Sequence, residues 1–129
     1  MSPEHGRVLI YVWAVEQDEL SRRIIPQKQR EFADYRVGRD VIVPWVLSGP
    51  NISKAANSPE DDKEQVYNRY YHMFARGELR GLVTEAATGL SLVVGVAAGQ
   101  PPSTQGVEIV QDGWERSNYY VELRCWRTA

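Results

Sequence analysis

A chain of 129 residues is expected to form one domain, long enough to bury roughly 65–70% of its unfolded surface in a single core. With 43% hydrophobic and 25% charged residues it is neither a disordered nor a fibrous sequence, and a net charge of −2 offers no general attraction to nucleic acid. A single cysteine, Cys125, excludes internal disulfides, and with His5 and His72 as the only histidines no metal site is expected. No apolar run is long enough to span a bilayer, including Leu90 to Ala98, and the N-terminus does not read as a signal peptide. A reducing, cytoplasmic setting with no membrane contact is the expectation.

The first element is Arg7-Val8-Leu9-Ile10-Tyr11-Val12-Trp13-Ala14. Its apolar run, Val8 to Trp13, lacks alternation and suits a parallel strand buried on both faces of an α/β sheet. Asp18 to Asp40 is polar and mixed in charge. From Arg22 to Arg39 it holds six Lys/Arg (Arg22, Arg23, Lys28, Arg30, Arg36, Arg39) against Glu31 and Asp34, a local excess of +4. It reads either as a solvated loop or short helix, or as a phosphate-contacting patch. Asp40 to Leu47 is apolar but interrupted by Pro44, which fits an edge strand or an extended lid segment. Gly49 to Gln65 reads as a surface loop carrying the acidic cluster Glu60, Asp61, Asp62 and Glu64.

Val66 to Phe74 is extended and aromatic. Leu79, Leu82, Val83 and Ala86 then recur at helical spacing, with Glu78 placed at the positive N-terminus of an amphipathic helix. Gly89 to Gly106 reads as a helix extension or an extra strand, followed by a loop. The chain ends in a hairpin candidate: Val107 to Val110 alternates, Asp112-Gly113 is a turn signal, and Asn118 to Arg127 alternates again. In that last strand Tyr119, Val121, Leu123 and Cys125 share one face.

The order of buried strand, long insertion, aromatic segment, helix and antiparallel pair resembles the C-terminal half of a class I methyltransferase. Four motifs narrow the resemblance to the tRNA wobble-uridine carboxymethyl methyltransferases. These are Arg7 to Gln17, Val43-Pro44-Trp45, Arg69-Tyr70-Tyr71-His72 with Phe74 and Gly77-Glu78-Leu79, and Gly113 to Val121. The resemblance implies an α/β fold, the C-terminal part of a Rossmann-like, S-adenosylmethionine-dependent domain. Residues 1–129 would then form a single partial domain with a long insertion at about 18–65 and an extra segment at about 89–105. The Gly-rich strand-to-helix turn and the ribose-binding acid of such folds do not appear in the sequence. The chain is therefore expected to be the substrate-side half, inactive alone. Its first strand would lack its neighbours and offer an edge for self-association. The alternative is a non-catalytic tRNA- or protein-binding module.

The implied reaction is methyl esterification of the carboxymethyl group on a wobble uridine, with S-adenosylmethionine as donor. A carboxylate with a pKa near ~4 is ionised at neutral pH, so clamps and stacking platforms are needed more than a general base. The expected catalytic residues are Arg69, Tyr71 and His72. Arg69 would grip a carboxylate or phosphate, or else pair with the Glu60–Glu64 cluster. Tyr71 would stack on an anticodon base, or pack on the sheet. His72 would donate a hydrogen bond to a substrate oxygen, or serve structure alone. Trp45 would close over the cofactor or the base, with core packing as its other reading. Trp13 and Glu16, at the C-terminal end of the first strand, are the expected cofactor contacts. Trp114 and Tyr120 read as hairpin packing and Cys125 as a small core residue. The implied partners are a tRNA anticodon loop and a small zinc-binding activator subunit.

Overall fold

A computed structural model of the chain describes residues 5–23, 36–46 and 66–129. The acidic cluster at 60–64, with Lys28 and Arg30 of the basic stretch, lies outside the described residues. The described elements are β1 (Arg7–Trp13), β2 (Arg39–Val46), β3 (Val66–Met73), α1 (Glu78–Gly89), β4 (Val93–Val94), β5 (Gln105–Glu115) and β6 (Asn118–Arg127). They form a mixed α/β arrangement, rich in strands and with one helix. A four-stranded sheet runs in the order β1-β6-β5-β4, and β2 and β3 make a separate two-stranded ribbon.

Strand β6 is antiparallel to both β1 and β5, while β4 is parallel to β5. Strands β1 and β5 consequently run the same way on either side of a reversed strand. The alternation read from β6 is real: Tyr119, Val121, Leu123 and Cys125 are all buried. Helix α1 covers this face. Leu79 packs with Val121 and Leu123, joined by Val8, Ile10 and Val12 of β1. Ala87 continues the contact to Val107 and Cys125, with Leu92 and Val94.

Three expectations are corrected. Strand β1 is not buried on both faces, and its ladder to β6 is antiparallel: Leu9 is 56% and Tyr11 47% exposed. The helix shields only the even-numbered side chains, and β1 is an edge strand of its sheet. The buried stripe of α1 is Leu79, Val83 and Ala87; Leu82 and Ala86 face outward. A sequence rich in small apolar residues permits several stripes, and packing against β6 selects one.

The hairpin turns at Arg116-Ser117 rather than at Asp112-Gly113. Glu115 pairs with Asn118, leaving a two-residue loop whose residues both have positive φ (49° and 64°), the geometry that matches strand twist. Tertiary hydrogen bonds hold Ser117 there. Its hydroxyl accepts from the Asp18 N–H (2.8 Å) and donates to the Asp18 carboxylate (3.1 Å). Its carbonyl accepts from the Ala14 N–H and the Arg23 guanidinium. Gly113 stays inside β5 because the Tyr120 ring leans over it: a Cβ there would lie 3.1 Å from the Tyr120 hydroxyl. The stretch after α1 is the short β4 plus a loop, tied down by the Trp126 indole donating to the Gly95 carbonyl (2.7 Å).

Candidate functional site

The ribbon is docked at the C-terminal end of β1. Phe74 donates its N–H to the Trp13 carbonyl (2.7 Å) and accepts from the Val15 N–H (2.9 Å), forming an isolated parallel bridge at Ala14. Beneath this bridge Val15, Val41, Met73 and Ala75 make a small separate core. The β2–β3 register places Val41 opposite Tyr71, Val43 opposite Arg69 and Trp45 opposite Tyr67, so these pairs share one ribbon face. Asp40 opposite His72 and Ile42 opposite Tyr70 share the other.

On the first face three planar groups form a column. The rings of Trp13 and Tyr71 stack at 4.2 Å with 4° between their planes, and the Arg23 guanidinium lies 4.4 Å over the Trp13 ring. Arg23 is fixed by the Ser117 carbonyl (2.6 Å) and the Asn118 side chain (2.5 Å), and its burial lowers its pKa. Further along, the Arg69 guanidinium sits 4.1 Å over Trp45, whose ring also approaches Tyr67. Arg69, Trp45 and Tyr67 are exposed.

The second face carries a charged bridge. His72 Nδ1 meets Asp40 at 2.7 Å and Nε2 meets Glu78 at 2.5 Å, while the Tyr70 hydroxyl donates to the same Asp40 oxygen. Glu78 also accepts from the Ala75 N–H (2.9 Å). The Asp40 hydrogen bond, with Glu78 adding to it against partial burial, raises the His72 pKa. His72, and then Tyr70, lower that of Asp40. The bridge thus spans β2, β3 and α1. Gly38 lies so close that a Cβ there would press on Glu78 and His72.

The expected site residues are therefore only partly brought together. Arg69, Tyr71 and Trp45 share a face, with Trp13 against Tyr71. His72 faces the opposite side, because neighbouring residues of a strand alternate, and both its ring nitrogens are engaged. Glu16 lies apart, its carboxylate 3.5 Å from Arg76 and its carbonyl accepting from the Trp114 indole (3.0 Å). Arg23, Asp40, Glu78 and Gly38 were not foreseen as parts of the site. Arg23 carried only the signal of the basic stretch around it, Glu78 only its place in a motif and at the start of the helix, and the pairing of Asp40 with His72 depends on ladder register.

No protein-family model matches the chain. It is 31% identical over 121 residues to the tRNA (carboxymethyluridine(34)-5-O)-methyltransferase of Schizosaccharomyces pombe, an alignment covering 90% of this chain and 41% of that enzyme. It is also 30% identical over 107 residues to the tRNA (carboxymethyluridine(34)-5-O)-methyltransferase alkbh8 of Xenopus tropicalis, covering 60% of this chain and 17% of that protein. The chain is thus similar to part of two tRNA carboxymethyluridine methyltransferases. It spans about two fifths of the fission-yeast relative's length. Among the described residues, no helix is long and apolar enough to cross a membrane.

The surroundings of Trp13 bear on a cofactor. Both of its faces are covered, by Arg23 and by Tyr71, so an adenine could stack there only by displacing one of them. Glu16 is already opposite Arg76. Trp13 and Glu16 do not fit a site for S-adenosylmethionine as they stand.

Proposed function

We propose that this chain is the substrate-side, C-terminal part of a Rossmann-like tRNA methyltransferase that esterifies the carboxymethyl group of a wobble uridine, with S-adenosylmethionine as donor. The observation that carries this reading is the 31% identity over 90% of the chain to an enzyme of that name. The reversed strand β6 between two strands that run the same way is compatible with it. The substrate carboxylate is already charged, and what the chain supplies is position. Arg69, held over Trp45 on an exposed ribbon face, grips the carboxylate or a neighbouring phosphate. Tyr71, backed by Trp13 and Arg23, orders the wall on which an anticodon base is presented. His72 acts on substrate only by exchanging a carboxylate partner; where it keeps both, it positions the ribbon against α1. The proposed setting is cytoplasmic, with the zinc-binding activator subunit as partner.

The test is methyl transfer to carboxymethyl-modified tRNA by the intact protein. Arg69→Ala should lower kcat/KM about ten- to a hundredfold, the worth of one charge-assisted contact, whereas Arg30→Ala should change it little. Equal activities would remove Arg69 from the site. The filled faces of Trp13 favour a second reading, a tRNA-binding module without its own cofactor; retained tRNA binding without methyl transfer would select it. The outer edge of β1, with Leu9 and Tyr11 exposed beside it, is also proposed to pair with a second copy. Light scattering that finds only monomer at high concentration would oppose this.

A further inference from the structure

Away from the ribbon, a cleft of about 230 Å³ lies between the start of α1 and the β5–β6 hairpin. Arg76 and Arg80 stand on its helix side, and Trp114 and Tyr119 on its hairpin side. Three features of the cleft suit an anion joined to a flat ring.

The first is an incomplete hydrogen-bond set. Tyr119 is 6% exposed, yet among the described residues no group completes a well-formed hydrogen bond to its hydroxyl. Burial is the largest influence on that hydroxyl and raises its pKa; Arg76 lowers it and Glu16 raises it from hydrogen-bonding range, yet neither contact is a well-formed hydrogen bond. A buried hydroxyl without a partner is costly and uncommon in a native fold, and a ligand oxygen would complete it.

The second is positive charge with weak internal claims on it. Arg80 meets Asp112 at 3.3 Å and Arg76 meets Glu16 at 3.5 Å, and both arginines are more than half exposed. Exposed pairs of this kind hold their partners weakly. The twelve-residue helix begins at Glu78 and its N-cap, Gly77, supplies no side-chain cap, so its first turn adds partial positive charge. Glu78, the acidic residue of that turn, is taken up by His72 and the Ala75 N–H.

The third is an aromatic platform. Trp114 is 39% exposed, and its indole is fixed by donation to the Glu16 carbonyl. A fixed, half-exposed ring beside two guanidinium groups is what a nucleotide with an unstacked base requires.

We propose that this cleft is a nucleotide site: Arg76 and Arg80 take a phosphate, the Tyr119 hydroxyl donates to it, and the base lies against Trp114. The inference rests on the tRNA reading above, and gives that substrate a second point of contact outside the ribbon. Calorimetric titration of the intact chain with uridine 5′-monophosphate, uridine and inorganic phosphate tests it. The monophosphate should bind more tightly than either fragment. Tyr119→Phe should weaken it about tenfold or more, the effect of losing one hydrogen bond to a charged group. The same substitution should leave the thermal midpoint unchanged or raised, because it removes an unpartnered hydroxyl; a hydroxyl with only a structural role would lower it. Arg80→Gln should weaken the monophosphate and inorganic phosphate but not uridine. Monophosphate affinity unaltered in both variants overturns the site. Carboxymethyl-modified tRNA separates this inference from its premise. If tRNA binds equally well to wild type and both variants, the cleft assignment falls and the tRNA reading stands. If wild type ignores tRNA yet binds the monophosphate with these dependences, the cleft stands and the tRNA reading falls.

Discussion

The four-stranded sheet and the β2–β3 ribbon hold together by different means. In the sheet, β6 is hydrogen-bonded on both sides and its inner face is sealed by α1. Among the described residues the ribbon strands pair only with each other, and the first five residues of β3 are all exposed. Among the described residues, what fastens the ribbon is the backbone bridge at Ala14, the small core of Val15, Val41, Met73 and Ala75 beneath it, the Trp13–Tyr71 stack and the His72 bridge to α1. Rigidity is thus concentrated in the sheet, and the surface that carries Arg69 and Trp45 is an attachment to it. Binding surfaces commonly take this form, supported by a scaffold that does not itself move.

The strongest way to break this comparison is a cavity in the sheet core. Leu123 is 7% exposed and packs on Leu79 and Val121, so Leu123→Ala should cost about 2–5 kcal/mol of global stability by denaturant unfolding. A loss confined to the ribbon would contradict the division. A smaller effect is expected from Gly38→Ala. Its new methyl would crowd both the Glu78 carboxylate and the His72 Nε2, forcing their contact apart. The cost is then about one charge-assisted hydrogen bond, roughly 1.5–3 kcal/mol. Hydrogen exchange should report it as lost protection in β2 and β3 with β5 and β6 unchanged.

The mildest perturbation is pH. His72 has a raised pKa, so its contribution is complete below the ordinary histidine value of 6.5 and is lost as pH rises through the raised value. Asp40 has a lowered pKa, so its contribution is present above the ordinary value of 3.8 and is lost as pH falls through the lowered one. The ribbon should therefore be best fastened between these ordinary values and loosen as pH rises above 6.5 through the raised His72 value, with His72→Gln flattening that limb. Limited proteolysis of the ribbon that stays constant across that range would show that the bridge does not fasten it.

Much of the sheet was legible in the residues because burial there follows a short period. The alternation Tyr119, Val121, Leu123, Cys125 and the strand character of Val8 to Trp13 both survive in the structure. The motifs were legible too: four blocks in order pointed to the enzymes that the chain matches. The turn was misplaced because Asp112-Gly113 has stronger intrinsic turn chemistry than Arg116-Ser117. Hydrogen bonds from Ala14, Asp18 and Arg23 to Ser117 overrode that preference.

What the sequence determined by itself is therefore local: which segments extend, which coil into a helix, which side of β6 faces inward, and which motifs are present. What only tertiary structure decided is which of those segments meet. The burial of β1 on a single face depended on where α1 landed. The separation of His72 from Arg69 and Tyr71 depended on ladder register, since a shift of one residue exchanges the two faces of a strand. The covering of Trp13 by Arg23 joins residues ten apart, through contacts with a hairpin turn almost a hundred residues further on. Periodicity constrains neighbours along the chain. It carries no information about which partner fills the space that a periodic face leaves open.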